Sequence, residues 1–164
     1  MTSKESMHID PYERAWIIIS IVLIVVFGIA IAVAGFALGI QVPSPEQRVD
    51  PRTVATDPNS PWSEPGLREL SPGKYDAYVL AQTWQFLPRE ISVPTGSTVT
   101  FYVTSKDVQH GFKIQDTNIN MQIIPGQVSK LTVTFDEPGT YDYICTEYCG
   151  SAHAIMYGTI TVEP

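Results

Sequence analysis

The feature that most constrains this 164-residue chain is an uninterrupted apolar run near its N-terminus. From Ile17 to Ile40 the only polar side chain is that of Ser20. Built as a helix that rises 1.5 Å per residue, this run spans about 36 Å, which is enough to cross a hydrocarbon core of roughly 30 Å. Tyr12 and Trp16 precede it, where aromatic side chains lie at a membrane interface. The run predicts one transmembrane helix over 17–40, after a polar N-terminal tail over 1–16.

A cleaved signal peptide is the alternative interpretation of this run, because Ala32-Val33-Ala34 resembles a small-residue cleavage site. The run is longer than the apolar region of a typical signal peptide and continues to Ile40, which favours a retained anchor. Charge does not set the orientation of the helix, since two basic residues precede it and two follow it closely.

The chain beyond this run is acidic. The formal net charge is −7, and residues 41–164 contain eight Lys and Arg against fourteen Asp and Glu. No nucleic-acid partner is expected, because phosphate binding needs a basic surface. The chain has two cysteines, four positions apart, which are too few for the disulfide framework of a small secreted domain. Their role is therefore local.

Residues 41–73 contain seven of the thirteen prolines. Proline fixes φ and removes a hydrogen-bond donor, so this segment is predicted to be an extended connector with turns and little regular structure. Trp62 and Leu67 are expected to pack on the domain that follows, because a free linker has no use for such side chains.

Both cysteines lie in one stretch, Cys145–Met156, with the spacing CxxxCxxxHxxM. Two thiolates, the imidazole of His153 and the thioether of Met156 are soft and borderline ligands that favour copper, whereas a calcium or magnesium site would be rich in oxygen. His110 is the only other histidine beyond the N-terminal tail, and a ligand from a distant strand would clamp such a loop. The pattern indicates a copper site.

Two other interpretations of these residues stay open. Cys145 and Cys149 could form a disulfide outside the cytoplasm, or could bind zinc tetrahedrally together with His110 and His153. Met156 favours copper, because zinc sites seldom use a thioether ligand.

The remainder of the chain, from residue 74 onward, predicts a β-domain. Alternating apolar residues predict strands at 74–81, 98–104 and 131–135, with two more at 141–145 and 157–162. Turn signals such as Pro94-Thr95-Gly96 and Pro125-Gly126 separate them. Several short strands with regular turns indicate an antiparallel sandwich. With a copper loop between the last two strands, the predicted fold is an all-β cupredoxin-like Greek-key barrel or sandwich over 74–164, preceded by the transmembrane helix.

The cysteine motif, read as CxExCxxxHxxM, occurs together with an upstream TSxDVxHGF over Thr104–Phe112. This combination resembles the dinuclear copper (CuA) site of subunit II of haem-copper oxygen reductases, and most of all the ba-type (B-family) cytochrome c oxidases. The resemblance implies that both thiolates bridge two copper ions. By the same motif the ligands would be the side chains of His110, Cys145, Cys149, His153 and Met156 and the backbone carbonyl of Glu147.

This resemblance implies an electron-transfer subunit in an oxidoreductase whose dioxygen-reducing site lies on another subunit. The chain would accept electrons from a soluble donor, a cytochrome c or a small copper protein, and pass them to subunit I, which carries haem and CuB. Its helix would sit in the lipid of the cell membrane as a single span, with the copper domain on the extracytoplasmic face. If acidic residues surround the copper loop, with Asp107, Asp142 and Glu147 as the nearest in sequence, they would attract a basic donor.

Three residues near the site are candidates for receiving electrons from the donor: Gln82, Trp84 and Phe86. In the wider oxidase family a tryptophan in this region admits electrons from cytochrome c, and Gln82 matches its position best. Trp84 and Phe86 are the neighbouring aromatic residues, and their alternative role is a hydrophobic plug beside the site.

Two rival functions share parts of the pattern. A copper-containing subunit of a nitric oxide reductase could carry the whole motif. A membrane-tethered β-domain structured by zinc, acting as a binding or assembly module, would use the cysteines and histidines alone.

Overall fold

The structure, a computed structural model, describes residues 9–40 and 45–164. Residues 1–8 of the predicted tail and 41–44 of the predicted connector lie outside the described residues. The chain divides into two compact units, Met1–Ile40 and Gln41–Pro164. Each unit is described by itself below.

The first unit contains one helix, α1, which spans Pro11–Phe36. It begins before the apolar run because the Asp10 carboxylate accepts the N–H of Tyr12 at 2.8 Å and Pro11 takes the first helical position. It ends at Phe36, short of Ile40, so both of its ends differ from the predicted span. None of its residues is buried, and it is long and apolar enough to cross a membrane.

The second unit is a sandwich of two β-sheets. Its strands are β1 (Pro45–Arg48), β2 (Gly66–Ser71), β3 (Lys74–Gln82), β4 (Gln85–Leu87), β5 (Glu90–Pro94), β6 (Ser97–Ser105), β7 (His110–Ile114), β8 (Asn120–Ile123), β9 (Gln127–Phe135), β10 (Gly139–Ile144) and β11 (Tyr157–Glu163). The first sheet has the order β1-β9-β6-β3-β2, with β4 also paired to β3. The second sheet has the order β5-β11-β10-β7-β8. All five predicted strands are confirmed, the three from the alternating pattern and the two that flank the cysteine stretch.

Two strand pairs differ from the predicted antiparallel sandwich. Strands β3 and β6 are parallel in the first sheet, and β5 and β11 are parallel in the second. The reason is that the chain leaves the first sheet after β4, enters the second sheet as β5 and returns as β6 beside β3. Parallel neighbours need a crossover connection of this kind, and the chain between β5 and β11 likewise passes through the first sheet.

The main core lies between the two sheets. Aromatic rings occupy its centre, where Phe112 contacts Phe86 at a ring-centroid distance of 5.4 Å and Tyr143 at 5.2 Å. Both cysteines and Met156 belong to the same buried cluster. The candidate ligands are therefore an extension of the core at the end of the sandwich where β10 ends and β7 begins.

The segment predicted as a connector differs most from its prediction. It contains strands β1 and β2 and a 3-10 turn at Pro61–Ser63. Its prolines are compatible with this structure, because Pro45 begins an edge strand and Pro61 takes the first position of the turn.

The prediction that Trp62 and Leu67 pack on the domain is confirmed. Trp62 is 1% exposed, and its indole N–H donates to the carbonyl of Tyr102 at 3.2 Å. With Val54, Leu80 and Val128 it forms a second apolar cluster against the first sheet, and Leu67 packs against the main core. The segment thus belongs to the folded domain.

Candidate metal centre

The Cys145–Met156 stretch forms the connection between β10 and β11, and we name it the cysteine loop. The N–H of Cys145 donates to the carbonyl of Met156 at 3.1 Å, which closes the base of the loop. His110 is the first residue of β7, and β7 pairs with β10 in the second sheet. This pairing brings a histidine from a distant part of the sequence beside the first cysteine.

Two thiol sulfurs stand at the centre of the site. Cys145 Sγ and Cys149 Sγ lie 3.8 Å apart, and both residues are free thiols. This separation is far beyond the about 2.05 Å of a disulfide bond. Two bonds of about 2.3 Å from one ion, at a near-tetrahedral angle, would set two thiolates roughly 3.8 Å apart. The spacing therefore suits a shared metal ion.

Four further donor atoms flank the sulfur pair, two at each sulfur. Beside Cys145 Sγ lie His110 Nδ1 at 3.8 Å and the Glu147 carbonyl oxygen at 3.2 Å. Beside Cys149 Sγ lie His153 Nδ1 at 3.6 Å and Met156 Sδ at 3.7 Å. The structure thus brings together all six residues that the sequence motif singled out.

The centre is largely closed to water. His110 is fully buried, and Cys145, Cys149 and Met156 are nearly so. The ligand atoms of His110 and the two cysteines all lie within 4.8 Å of one another. His153 is half-buried, with the ring of Tyr148 at a centroid distance of 6.0 Å. One side of the centre therefore faces the core and the other approaches the surface.

The carboxylate of Asp107 is hydrogen-bonded to the ring of His110. Burial alone would raise the pKa of this carboxyl, but hydrogen bonds from His110 and from the N–H groups of Thr83 and Val108 lower the pKa to about 2. An ionised carboxylate only accepts hydrogen bonds. Nε2, 3.0 Å from Asp107 Oδ1, therefore keeps its proton. Burial would lower the pKa of His110, but hydrogen bonds with Cys145 and Asp107 raise it, and the Nδ1 proton beside Cys145 Sγ is the one that a bound metal would displace.

The two thiols do not lose their protons equally. Burial would raise the pKa of Cys145, but hydrogen bonds with His110 and with the N–H groups of Gly111 and Glu147 lower its pKa to about 6. Burial and the charge on Cys145 raise the pKa of Cys149 to about 11. The metal-free pair thus carries about one negative charge at neutral pH, which attracts a cation, and a bound metal would displace the remaining proton.

Two glycines allow the close packing of the cysteine loop. A Cβ on Gly111 would lie 2.8 Å from the backbone nitrogen of Thr146. Gly150 has a φ of 123°, and a Cβ there would lie 2.8 Å from the Trp84 indole nitrogen. That indole N–H donates to the Cys149 carbonyl at 3.1 Å. Sequence reasoning left out these contacts, although Gly111 directly follows the proposed ligand His110.

The three candidates for receiving electrons differ in their positions. Phe86 is fully buried and packs against Phe112 and Tyr143, so it is part of the core. Gln82 is half-buried at the end of β3. Trp84 is 42% exposed and hydrogen-bonded to a cysteine carbonyl. Of the three, Trp84 is the one that presents an exposed ring next to the thiol pair.

Large apolar side chains surround the cysteine loop at the surface. Tyr148 is 80% exposed and Ile155 is 69% exposed, both within the loop. We name the set next to the candidate ligands the loop face, and it comprises Trp84, Val108, Tyr148, Ile155 and Tyr157.

The three acidic residues expected there are less available than the sequence indicated. The Asp107 carboxylate accepts bonds from His110 and Thr83, Asp142 accepts the Thr159 hydroxyl at 3.1 Å, and Glu147 is half-buried.

Comparison with known proteins gives consistent results. A profile of the family described as cytochrome c oxidase subunit II, periplasmic domain, matches residues 75–163. Cytochrome c oxidase subunit 2 of Thermus thermophilus is 40% identical over 169 aligned residues, which cover 99% of each chain.

Solved structures agree in fold. A chain from the cryo-EM structure of a heme-copper terminal oxidase dimer aligns with a TM-score of 0.75 and 33% identity, covering 93% of this chain and 99% of that one. The periplasmic domain of subunit II of cytochrome oxidase (CoxB) of Bradyrhizobium japonicum aligns with a TM-score of 0.50 and 22% identity, covering 53% and 82%. The likeness to this domain supports the predicted cupredoxin-like sandwich.

Proposed function

The chain belongs to the cytochrome c oxidase subunit II family, and we propose that it is the subunit through which electrons enter a membrane-bound terminal oxidase. The observation that carries this proposal is the convergence of four donor atoms on two thiol sulfurs 3.8 Å apart. The oxidase is an oxidoreductase complex, and this subunit is the part of it that relays electrons.

The donor set fits a dinuclear copper centre. Thiolates, imidazoles and a thioether are ligands that copper accepts, and hard cations would require more oxygen. Cys145 and Cys149 would bridge the two ions, and the terminal ligands would be His110, His153, Met156 and the carbonyl of Glu147. Bound there, copper supplies a one-electron couple.

The surrounding protein holds the ligands in place and shields most of them from solvent. His110 lies on a strand held in the second sheet, and the cysteine loop is closed at its base by the bond between Cys145 and Met156. Ligands that cannot move when the charge of the centre changes favour fast electron transfer, because little geometry has to be reorganised. A rigid and buried loop therefore suits a relay.

Electrons would arrive across the loop face and leave toward a partner subunit that carries haem and copper. The natural donor we propose is a soluble cytochrome c or a small copper protein. The exposed ring of Trp84, whose N–H reaches the Cys149 carbonyl, is the contact we propose for arrival.

Helix α1 would anchor the subunit in the lipid of the cell membrane. From Ile17 to Phe36 its side chains are apolar on all sides apart from Ser20, as in a helix surrounded by hydrocarbon. The copper domain then lies on the extracytoplasmic face, in keeping with the periplasmic domain that the family profile describes.

Metal analysis combined with a visible spectrum of the purified full-length chain tests this function. We expect a pair of copper ions per chain and strong visible absorption from copper–thiolate bonds. A colourless protein that contains zinc would overturn the proposal in favour of a zinc-structured module. Cys149→Ser is the matched control, because it removes one proposed bridging sulfur from the same fold and should therefore lose the two-copper spectrum.

The catalytic complex separates the oxidase from a nitric oxide reductase. The complex that co-purifies with the chain should consume dioxygen when supplied with a reduced donor. Consumption of nitric oxide without dioxygen reduction would identify the other enzyme, although the copper relay itself would stand.

A further inference from the structure

His110 is held from both sides of its ring. Its Nδ1 faces Cys145 Sγ at 3.8 Å, and its Nε2 faces Asp107 Oδ1 at 3.0 Å. The residue is fully buried, so water does not compete for either nitrogen. The partner on Nε2 therefore decides which way Nδ1 points.

The carboxylate of Asp107 is itself fixed by several donors. Oδ2 accepts the N–H of Thr83 at 2.7 Å and the Thr83 hydroxyl at 2.9 Å. Oδ1 accepts the N–H of Val108 at 2.7 Å and lies 3.2 Å from the hydroxyl of Ser105. These bonds come from two different parts of the chain, the end of β6 with its connection to β7 and the turn between β3 and β4.

The turn between β3 and β4 also reaches the second thiol. Its Trp84 indole N–H donates to the carbonyl of Cys149 at 3.1 Å. Thr83 thus acts on the His110 side of the centre and Trp84 on the Cys149 side. Two adjacent residues connect one turn to both halves of the ligand set.

We propose that Asp107 is a positioning residue of the metal centre, which holds the His110 ring with Nδ1 toward the thiol pair and is itself held by Thr83. This inference rests on the proposed copper function. A carboxylate behind a ligating histidine fixes the ring and raises its basicity, and loss of such a partner lowers metal affinity by about 10- to 100-fold.

The test uses the full-length chain in detergent, loaded with copper, with three variants at this hydrogen-bond chain. Asp107→Ala removes both acceptor oxygens. Asp107→Asn keeps an oxygen for His110 but turns an amide toward the donors of Thr83. Thr83→Val removes the hydroxyl and keeps the backbone N–H. Asp142→Ala is the matched control, because it deletes a carboxylate that accepts a single threonine hydroxyl elsewhere in the second sheet.

The measurements are the visible spectrum, the reduction potential and copper retention against a competing chelator, alongside thermal unfolding of the metal-free protein. We expect Asp107→Ala to lose copper at a chelator concentration about 10- to 100-fold lower than the wild type does. Its spectrum and reduction potential should also shift. Asp107→Asn and Thr83→Val should change the same quantities in the same direction but less. Asp142→Ala should match the wild type.

A wild-type spectrum, potential and copper retention in Asp107→Ala would overturn the inference. If that variant does not unfold cooperatively without metal, Asp107→Asn and Thr83→Val decide the question by the same readouts. A change confined to unfolding temperature, with unchanged spectrum and potential, would mean a structural role only and would also overturn it. Failure of the wild type to bind copper would overturn the proposed function itself, which is a separate result.

Discussion

Gly111 lies directly against the backbone of the cysteine loop, so that a Cβ on it would stand 2.8 Å from the nitrogen of Thr146 and 3.0 Å from that of Glu147. The first of these distances is shorter than Cβ atoms adopt, and the second is at the limit of tight contacts. Strand β7 and the loop therefore touch without a side chain between them, which sets His110 at its distance from Cys145.

Gly111→Ala should consequently disturb the metal centre as well as the fold. The added methyl would push the loop away from β7, with an overpacking cost of about 1–3 kcal/mol in the free energy of unfolding. We expect a lower unfolding temperature and a lower copper content. Gly66→Ala is the control, since its Cβ would meet no atom within 4 Å. Equal copper content and unfolding temperature in both variants would contradict this account of the packing.

The cysteines and Met156 should rank differently as ligands. Each thiolate is proposed to bind both ions, so Cys145→Ser or Cys149→Ser should abolish the two-copper spectrum. Met156, whose Sδ lies 3.7 Å from Cys149 Sγ, should act as a weak ligand. Met156→Leu should retain some copper and shift the reduction potential. An intact two-copper spectrum in either serine variant would sink the bridging assignment, and complete metal loss in Met156→Leu would reverse the ranking.

Copper affinity should rise with pH because the thiol pair must lose a proton. The pKa of Cys149 is raised to about 11 while that of Cys145 is lowered to about 6. Between about pH 8 and 10 the pair thus holds about one proton, and the apparent affinity should increase about tenfold per pH unit. Competition titrations at several pH values measure the slope. A flat profile would show that both thiols are already ionised in the metal-free protein.

A fragment comprising residues 41–164 should fold and bind copper without consuming dioxygen. It contains every proposed ligand and forms one compact unit. A shorter fragment from Lys74 would lack β1, β2 and Trp62, and loss of such a buried side chain costs about 3–5 kcal/mol. We expect the shorter fragment to unfold at a lower temperature or to aggregate. Equal stability of the two would restore the interpretation of 41–73 as a mere connector.

The electron donor should dock mainly through apolar contacts. Tyr148 and Ile155 are the most exposed apolar side chains of the loop face. Tyr148→Ser or Ile155→Ser should slow reduction of the copper-loaded protein by a cytochrome c about 3- to 30-fold, as for side chains central to an interface. Leu70→Ser is the control, because Leu70 is 66% exposed on β2, away from the cysteine loop.

A salt series measures the alternative mode of docking. Surface charges are screened over about 8 Å at physiological ionic strength. We expect the change in reduction rate across the salt series to be smaller than the change caused by Tyr148→Ser. A steep fall with salt and no effect of Tyr148→Ser would instead favour the acidic attraction that the sequence indicated.

The parts of the structure that the sequence predicts are those encoded locally. The spacing between Cys145 and Met156 and the alternating residues of β3 and β6 need no long-range information. The start of α1 is also encoded locally, since Asp10-Pro11 is a capping signal, but a prediction from the apolar run alone begins at Ile17. The prediction for 41–73 rests on proline content, which shows where backbone hydrogen-bond donors are missing. It does not show which apolar side chains, such as that of Trp62, will pack on the domain.

Long-range relationships explain the rest. Nothing in the local sequence of β5 states that it pairs with β11, some seventy positions later, so the parallel pairs were not foreseeable. The role of Asp107 depends in the same way on Thr83, which is 24 positions away. A single sequence does not show which distant side chains come into contact in the folded protein.

Strand β11 lies between β5 and β10 in the second sheet, and it follows the cysteine loop along the chain. During synthesis, both thiols and His110 therefore emerge before the strand that closes the loop. Pairing of β11 with β10 places the carbonyl of Met156 where it accepts the N–H of Cys145, so we expect the donor atoms to reach their fixed separations when β11 has paired. We therefore expect copper to bind late in biogenesis, after the sandwich is complete.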